Sequence, residues 1–356
     1  MTEDIQPTQS TAKSSFQARE VLILLAVLIG IQVAAFMLTA QLRRPPRIAF
    51  MSDREGNLDI YLMNFDGSNV VNLSRNESAD FLPDWSQSLG AFVFLSAQDI
   101  NAVSLFRMND EGNDSIIIIE SMPILGSKPT WSPNGEWIAF QNQQDGQGEL
   151  YVVNAAGTQI RNLSNHPASD QFSDWSPDGK HILFSSDRGG PRTLYQVDLD
   201  DGSIAILLDD LFTNATADWS PDGKLIAFAS DRAVDVEIFV LEIESGIIIQ
   251  LTQSPGVDAF PIWSPDGSKL AFLSVRDGNP EIYVMRADGS QALNLTNHPA
   301  QDAAQGDFSW SPDGLYILFQ SDRDGDIEIY RIDADGGNVV NLSNNPAADR
   351  ASIWVP

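Results

Sequence analysis

A tryptophan recurs along the chain at an almost constant interval, and this repetition constrains the fold more than any other feature. The series consists of Trp85, Trp131, Trp175, Trp219, Trp263, Trp310 and Trp354. Its successive spacings are 46, 44, 44, 44, 47 and 44 residues. A fixed period of roughly 20 to 50 residues is typical of solenoids, propellers and other repeat architectures. The chain is therefore predicted to consist of seven copies of one unit, and the tryptophans are interpreted as structural residues that pack one unit against the next.

Each unit contains the signals for four short strands. Five of the tryptophans open the string WSP[DN]G, whose Pro, Asp or Asn, and Gly occupy the positions that a type I turn prefers. An alternating run such as Lys224–Ser230 follows and predicts a second strand. All seven units then carry an apolar and aromatic pair such as Leu194 and Tyr195, which marks a third strand. A further turn, for example at Asp201 and Gly202, leads to the fourth strand.

The period and the two ends of the repeat region predict a closed ring. Residues 47–356 number 310, which at about 44 residues a unit gives seven units, and four strands in such a period are typical of a β-propeller blade. The region begins with second-strand sequence at Arg47–Phe50 and ends with first-strand sequence at Ala351–Trp354. We therefore expect an all-β, seven-bladed β-propeller of four-stranded antiparallel blades, in which the C-terminal strand completes the blade begun at Arg47.

The repeat also resembles a known family. The strings WSPDGxxIAF, SDRDGxxEIY and NLTNHP resemble the WD40-like propeller repeat of the periplasmic TolB proteins, and they are similar to the propellers that precede the peptidase domains of the prolyl oligopeptidase family. The resemblance covers residues 47–356 and implies a propeller that is usually located outside the cytoplasm.

Two departures limit what this resemblance implies. TolB-type proteins have six blades and a separate N-terminal α/β domain, whereas this chain has seven units and an apolar N-terminal segment, so a Tol-Pal role is not carried over. The peptidases continue into an α/β-hydrolase domain, whereas this sequence stops at Pro356 and contains no G-x-S-x-G elbow. Peptidase activity is therefore not expected.

The N-terminal segment predicts a membrane anchor. Val21–Ala40 contains no charged residue, and a helix of twenty residues at about 1.5 Å per residue crosses a hydrocarbon core of about 30 Å. A cleaved signal peptide is the alternative, although its apolar core usually has only about 7–15 residues. Residues 1–20 are predicted to be a disordered tail and residues 41–46 a juxtamembrane linker. Basic residues on both sides of the span leave its orientation open, but an acidic body behind one anchor favours the extracytoplasmic side.

Composition excludes several functions. The chain has 49 acidic and 21 basic residues and a formal charge of -28, so it repels phosphate backbones and nucleic-acid binding is not expected. It contains no cysteine, which excludes disulfide bonds, thiolate zinc sites and cysteine nucleophiles.

A candidate site lies five residues before each tryptophan, where the chain enters the innermost strand and approaches the central channel. The residues at this position are Asp80, Gly126, Asp170, Asn214, Asp258, Gln305 and Asp349. Convergent carboxylates could bind a hard cation such as Ca²⁺ through oxygen ligands, or they could attract a cationic group of a partner. The four aspartates are therefore a candidate calcium site, and Asn214 is a further candidate at the channel mouth. The alternative is that these residues only cap the strand entrances.

Two other sets of residues carry chemistry. Asp84, Asp174 and Asp218 directly precede a tryptophan, although blade packing alone could explain them. The histidines are His166, His181 and His298, and two of them occupy equivalent Asn-His-Pro loops three units apart, which argues against a shared metal.

These observations favour a membrane-anchored, non-catalytic propeller that binds an envelope protein or a glycan. The alternative is a propeller enzyme, a lyase or hydrolase, with a cation held in the central channel. No cofactor is expected, and calcium at the four aspartates is the one candidate.

Overall fold

The structure, a computed structural model, describes residues 45–99, 102–123, 127–143, 148–303 and 306–356. Within these residues, 28 strands form seven four-stranded antiparallel sheets. Each sheet is one blade, so the predicted seven-bladed propeller is confirmed. The blades are numbered here in chain order from the first complete one, and the blade that combines the two ends of the repeat region is blade 7.

The first half of the repeat region contains three strands of blade 7 and all strands of blades 1, 2 and 3. Blade 7 begins the repeat region with β1 (Arg47–Ser52), β2 (Asp59–Met63) and β3 (Val71–Asn72). Blade 1 consists of β4 (Ala79–Ser86), β5 (Ala91–Asp99), β6 (Ala102–Asn109) and β7 (Ile116–Pro123). Blade 2 consists of β8 (Thr130–Trp131), β9 (Trp137–Asn142), β10 (Glu149–Asn154) and β11 (Ile160–Asn162). Blade 3 consists of β12 (Asp170–Trp175), β13 (His181–Ser186), β14 (Thr193–Asp198) and β15 (Ile204–Ile206).

The remaining blades repeat this order. Blade 4 consists of β16 (Asn214–Trp219), β17 (Leu225–Ser230), β18 (Glu237–Glu242) and β19 (Ile247–Gln250). Blade 5 consists of β20 (Asp258–Trp263), β21 (Lys269–Ser274), β22 (Glu281–Arg286) and β23 (Leu293–Asn294). Blade 6 consists of β24 (Phe308–Trp310), β25 (Tyr316–Ser321), β26 (Glu328–Asp333) and β27 (Val340–Asn341). The chain ends with β28 (Asp349–Val355), the innermost strand of blade 7.

The two middle strands of each blade form the core. In β17, five of the six residues are buried, because both faces of the strand are covered by neighbouring blades. Aromatic side chains pair across these strands: the rings of Phe184 and Tyr195 stack with their centroids 5.5 Å apart. The apolar and aromatic pair in each unit therefore supplies one ring of a cross-strand pair, which contributes about 0.5–1.5 kcal/mol beyond its buried area.

The Ser-Pro-Asp-Gly strings form the predicted turns. In blade 3 the amide of Gly179 donates to the carbonyl of Ser176 over 2.8 Å. The hydroxyl of Ser176 donates to Asp178 over 2.7 Å, and Gly179 adopts a φ of +69° that suits glycine. Each turn joins the innermost strand to the second strand.

The ring closes through blade 7, as the sequence predicts. Strand β28 pairs antiparallel with β1, with Trp354 opposite Ile48 and Asp349 opposite Ser52. Ile48 and Trp354 also pack against Leu318 and Ile329 of blade 6. The first and last strands of the ring are thereby held by main-chain hydrogen bonds and by a shared apolar cluster.

The predicted anchor, Val21–Ala40, and the flanking residues 1–20 and 41–44 lie outside the described residues. In the part of the chain that is described, no helix has the length and apolar character needed to cross a membrane. The membrane anchor stays a prediction.

Candidate functional site

The residues predicted to surround the channel mouth lie at or next to the start of the innermost strands. They are Asp80, Asp170, Asn214, Asp258 and Asp349, and each is 0% exposed. Gly126 and Gln305, the other two residues at this position, lie outside the described residues. Full burial of a carboxylate is costly unless a partner compensates its charge, so the contacts of these side chains decide what they can do.

In blade 3 the partner of Asp170 is an arginine of the same blade. The Nη2 of Arg188 donates to both carboxylate oxygens of Asp170, over 3.1 and 3.0 Å. The Nε of Arg188 donates to Ser186, and the guanidinium lies 5.2 Å from the ring centroid of Phe184 and 5.1 Å from that of Tyr195. The antiparallel register explains the pairing, because Asp170 lies opposite Ser186 at the end of the second strand.

The same pair recurs around the ring. The equivalent distances are 2.9 Å for Arg54 and Asp349, 2.7 Å for Arg276 and Asp258, and 2.9 Å for Arg323 and Asp302. In blade 4 the arginine is Arg232. Its Nη2 donates to Oδ1 of Asn214 over 2.9 Å and forms an ion pair with Oδ2 of Asp210, also at 2.9 Å. In each of these five blades, the arginine two residues after the last serine of the second strand therefore neutralises a carboxylate near the entrance to the innermost strand.

Asp302 and Asp210 were missed by the sequence reasoning. Blade 6 has three additional residues between its strand entrance and Trp310, which accounts for the spacing of 47 instead of 44. The acidic position therefore moves to Asp302, eight residues before Trp310, whereas a fixed offset pointed to Gln305. The presence of Arg323 in a Ser-Asp-Arg string was the signal that an aspartate had to lie nearby.

Asp80 of blade 1 contacts no arginine among the residues that the structure describes. Ala97 and Gln98 occupy the positions that Asp and Arg hold in most other blades. The amide of Asn76 donates to Oδ2 of Asp80 over 2.6 Å, and Oδ1 has no hydrogen-bond partner among the described residues. Burial raises the pKa of Asp80, and the nearby polar groups of Ser96, Ser74 and Asn76 only partly oppose this effect.

This geometry bears directly on the candidate calcium site. Asp170, Asp258 and Asp349 each bond to an arginine of their own blade. Among the described residues, no group of three or more acidic or histidine side chains is arranged to hold a metal ion. Calcium binding by these aspartates stays a prediction, and it would require their arginines to move away.

The second carboxylate set connects neighbouring blades. Asp84 accepts a hydrogen bond from the backbone amide of Trp131 over 2.9 Å, and Asp174 does the same for Trp219, also over 2.9 Å. The equivalent distance from Trp263 to Asp218 is 2.7 Å. Each of these aspartates thus accepts a hydrogen bond from the backbone amide of the repeated tryptophan in the next blade. This contact explains why an aspartate stands directly before the tryptophan of its own blade.

Two of these carboxylates are electrostatically unusual. Burial raises the pKa of Asp174 to about 7. Burial and repulsion from Asp174 also raise the pKa of Asp218 well above its ordinary value. Hydrogen bonds from backbone amides oppose the shift at both residues but do not cancel it.

Charged residues of both signs lie near the innermost strands. The innermost strands of blades 3, 4 and 5 line a cavity of about 290 Å³ with residues that include Gln171, Asp218 and Phe260. In blade 2, Lys128 lies 2.9 Å from Asp84. Burial raises the pKa of Asp307, and the positive charge of Lys128 and a hydrogen bond from Gln320 only partly oppose this effect.

The histidines serve their own loops. The Nδ1 atoms of His166 and His298 accept the amides of Ala168 and Ala300, over 3.1 and 3.2 Å. His181 lies 3.3 Å from Asp198 on the neighbouring strand of blade 3. In the described part of the chain, no histidine belongs to a cluster of metal-ligating side chains.

A closed ring of seven four-stranded blades defines the class of this protein as a β-propeller. The model of the TolB beta propeller domain, PD40, matches residues 113–234 and 207–356, which is more than half of the chain. The chain therefore belongs to this family.

Individual proteins are similar over parts of the chain. The Tol-Pal system protein TolB of Desulfosudis oleivorans is 30% identical over 119 residues, which is 33% of this chain and 26% of that protein. The chain thus matches only about a quarter of this relative's length. The crystal structure of TolB from Acinetobacter baumannii has a TM-score of 0.54 and 20% identity, and the match covers 87% of this chain and 67% of that one. A puromycin hydrolase structure has a TM-score of 0.67 at 13% identity, covering 85% of this chain and 53% of that one. At these identities the two structures show a shared fold.

Proposed function

We propose that this propeller is a non-catalytic binding module of the cell envelope, which presents its ring of blades to a partner protein. The observation that carries the proposal is that six aspartates of the innermost strands have their carboxylates engaged in contacts within the ring. Asp170, Asp258 and Asp349 are bound to arginines, and Asp84, Asp174 and Asp218 accept backbone amides of the next blade. These groups hold the ring together and are not free to act on a substrate.

Membership of the TolB propeller family supports an envelope role, because the similar protein of Desulfosudis oleivorans is named as a Tol-Pal system protein. The apolar segment Val21–Ala40 supports attachment to a membrane, with the propeller on the extracytoplasmic side. The net charge of -28 favours a partner that presents basic groups.

The proposal is tested with the full-length chain in its own cells. The chain should remain with the membrane fraction after a carbonate wash, and chemical cross-linking should join it to an envelope protein. A protease added to the outer face of the inner membrane should digest the propeller. Recovery of the chain only from the cytoplasm, or turnover of a saccharide by the purified protein, would contradict the proposal. Cross-linking to a cell-wall glycan alone would replace the protein partner with a glycan.

A further inference from the structure

Blade 4 departs from the other blades at the loop between its second and third strands. In blades 3, 5, 6 and 7 the second residue after the arginine is a glycine with φ between +101° and +125°. In blade 4 this position is Val234, which is 101% exposed and follows Ala233. Four blades fold with glycine at this position, so the fold does not require an exposed valine there.

The loop that leads into blade 4 also has exposed apolar residues where other blades do not. Blades 3, 6 and 7 have Pro-Ala in the middle of this connection, whereas blade 4 has Leu211 and Phe212. Leu211 is 85% exposed and Phe212 is 42% exposed. Single exposed apolar residues are normal in proteins, but here two loops of one blade carry them at positions where the other blades do not.

The two loops of blade 4 contact each other. The carboxylate of Asp231 accepts the amide of Thr213 over 2.8 Å. The guanidinium of Arg232 lies 5.7 Å from the ring centroid of Phe212. Leu211 and Val234 therefore belong to one rim of the blade, and we call the set Leu211, Phe212, Ala233 and Val234 the blade 4 rim.

A groove connects this rim to the outer edge of the blade. It has a volume of about 540 Å³ and is lined by residues that include Val234, Asp235, Gln250 and Pro255. Gln250 is the last residue of β19, the outermost strand of blade 4. In the described residues, β19 pairs only with β18, so its outer edge offers unpaired amides and carbonyls.

Strand β19, the outermost strand of blade 4, carries Ile247, Ile248 and Ile249, which are 54%, 36% and 52% exposed. Strand β7 of blade 1 shares this feature in part, since Ile116 and Ile117 are 40% and 46% exposed, but β19 is the strand that borders the groove of the blade 4 rim. The outermost strands of blades 5, 6 and 7 have two residues each and end in asparagine. An exposed, apolar edge strand is the kind of surface to which an extended peptide adds as a further strand.

The charge around the rim selects the partner. Asp209, Asp231 and Asp235 are exposed beside the apolar side chains. These carboxylates and the net charge of -28 repel both anionic lipid and a second copy of this chain. They attract a segment that carries lysine or arginine next to its apolar residues.

We propose that blade 4 binds an extended segment of a partner protein, which adds to the edge of β19 and places apolar side chains against the blade 4 rim, with flanking lysine or arginine beside Asp209, Asp231 and Asp235. This inference rests on the proposed function, because it names the surface and the partner chemistry of the same binding activity.

The experiment places a photoreactive amino acid at Val234 in the full-length chain in its own cells, and at Asp326, an exposed residue in the equivalent loop of blade 6, as the control. Mass spectrometry then identifies the cross-linked segment. We expect Val234 to join a protein segment with alternating apolar residues and flanking lysine or arginine, and Asp326 to join none. The yield should fall when envelope fractions are cross-linked at 0.5 M salt, because salt screens surface charges.

Variants make the result quantitative. The triple variant Leu211→Ser, Val234→Ser, Ile248→Thr should lower chemical cross-linking to the same partner at least tenfold, whereas Leu315→Ser, which alters a leucine 58% exposed in blade 6, should not. Both variants should keep the parent melting temperature, since the changed side chains are exposed. Cross-linking of Val234 only to lipid or to a second copy would overturn the inference. The inference would also be overturned if the photoreactive residue at Val234 gave no protein cross-link while chemical cross-linking still joined the full-length chain to an envelope protein. That result would leave the proposed function standing.

Discussion

Arg188 and Asp170 form an ion pair in which the carboxylate is completely buried and the guanidinium lies beside two aromatic rings. The pair joins the second strand of blade 3 to the start of its innermost strand. Desolvation of both charges opposes their attraction, so the net contribution of such a pair is small, but the loss of one partner is expensive.

Replacing Arg188 with methionine should therefore destabilise the ring by about 3–5 kcal/mol, because Asp170 would remain buried without a cation. Methionine retains the apolar contact with Phe184 and Tyr195. The double variant Arg188→Met, Asp170→Asn should recover part of the loss, since the buried charge is also removed. Urea unfolding of the parent, the single variants and the double variant gives the coupling energy. Equal losses in the single and double variants would show that only packing had changed.

Asp80 allows the opposite experiment, because it is a buried carboxylate that contacts no arginine in the described part of the chain. Asp80→Asn should raise the stability of the folded state at pH 7, by about 1–3 kcal/mol. Blade 4 already accommodates an asparagine at this position, Asn214. Since burial raises the pKa of Asp80, protonation favours the folded parent at low pH and this contribution is lost as the pH rises. The advantage of the variant should therefore shrink toward pH 4. Asp170→Asn, which strands Arg188, is the control and should destabilise at pH 7.

Much of the fold could be predicted from the sequence because every structural requirement is repeated seven times. The turn at Ser176–Gly179 and the closure of β28 on β1 each follow from local signals that neighbouring units confirm. The contact between Asp170 and Arg188 could also have been deduced, because the start of one antiparallel strand lies opposite the end of the next.

Other features of the site could not be predicted. The bond from Trp219 to Asp174 joins two blades, and its existence depends on how the blades are placed relative to each other. The role of Asp302 was hidden by an insertion that shifted the repeat. The blade 4 rim breaks the repeat pattern, so a search for recurring residues passes over Leu211 and Val234. A search for residues that recur in every blade finds what the fold requires, and it therefore omits residues that only one blade has.

Asp174 should make the stability of the ring depend on pH near neutrality. Burial raises its pKa to about 7, so its protonation stabilises the folded state below about pH 4 and this contribution is lost as the pH rises through about 7. The melting temperature of Asp174→Asn minus that of the parent should therefore increase between pH 4 and pH 8. Subtracting the melting temperature of the parent removes the pH dependence that both proteins share because of their net charge.

Asp266 provides the control for this measurement. Hydrogen bonds from Ser264 and Ser268 lower the pKa of Asp266 to about 2. Its contribution to stability is present above about pH 4 and is lost as the pH falls through about 2. The difference between Asp266→Asn and the parent should be constant from pH 5 to pH 8. A parallel profile for both variants would contradict the assignment to Asp174.

Gly112 tests how tightly the blades pack. A Cβ at Gly112 would lie 2.3 Å from the carbonyl oxygen of Leu73 in blade 7, whereas a Cβ at Gly246 would have no atom within 4 Å. Both glycines lie in turns between the third and fourth strands, with φ of +77° and +70°. Gly246→Ala should cost about 1–2 kcal/mol for its left-handed conformation. Gly112→Ala should cost about 1–3 kcal/mol more because the neighbouring blade must move. Denaturant unfolding of both variants measures the difference, and equal costs would mean that the contact between the blades yields easily.

The last prediction concerns the closure of the ring. Deletion of residues 349–356 removes β28, leaves the edge of β1 unpaired and deprives Arg54 of Asp349. It also removes Trp354 from the apolar cluster that joins blades 6 and 7. The shortened chain should melt at a lower temperature and form aggregates through the exposed edge of β1. The variant Trp354→Ala separates the two effects, because it creates a cavity of the kind that costs about 3–5 kcal/mol but keeps the main-chain pairing. If pairing closes the ring, Trp354→Ala should melt earlier yet stay monomeric in size-exclusion chromatography. Unchanged melting of the shortened chain would refute closure through the shared blade.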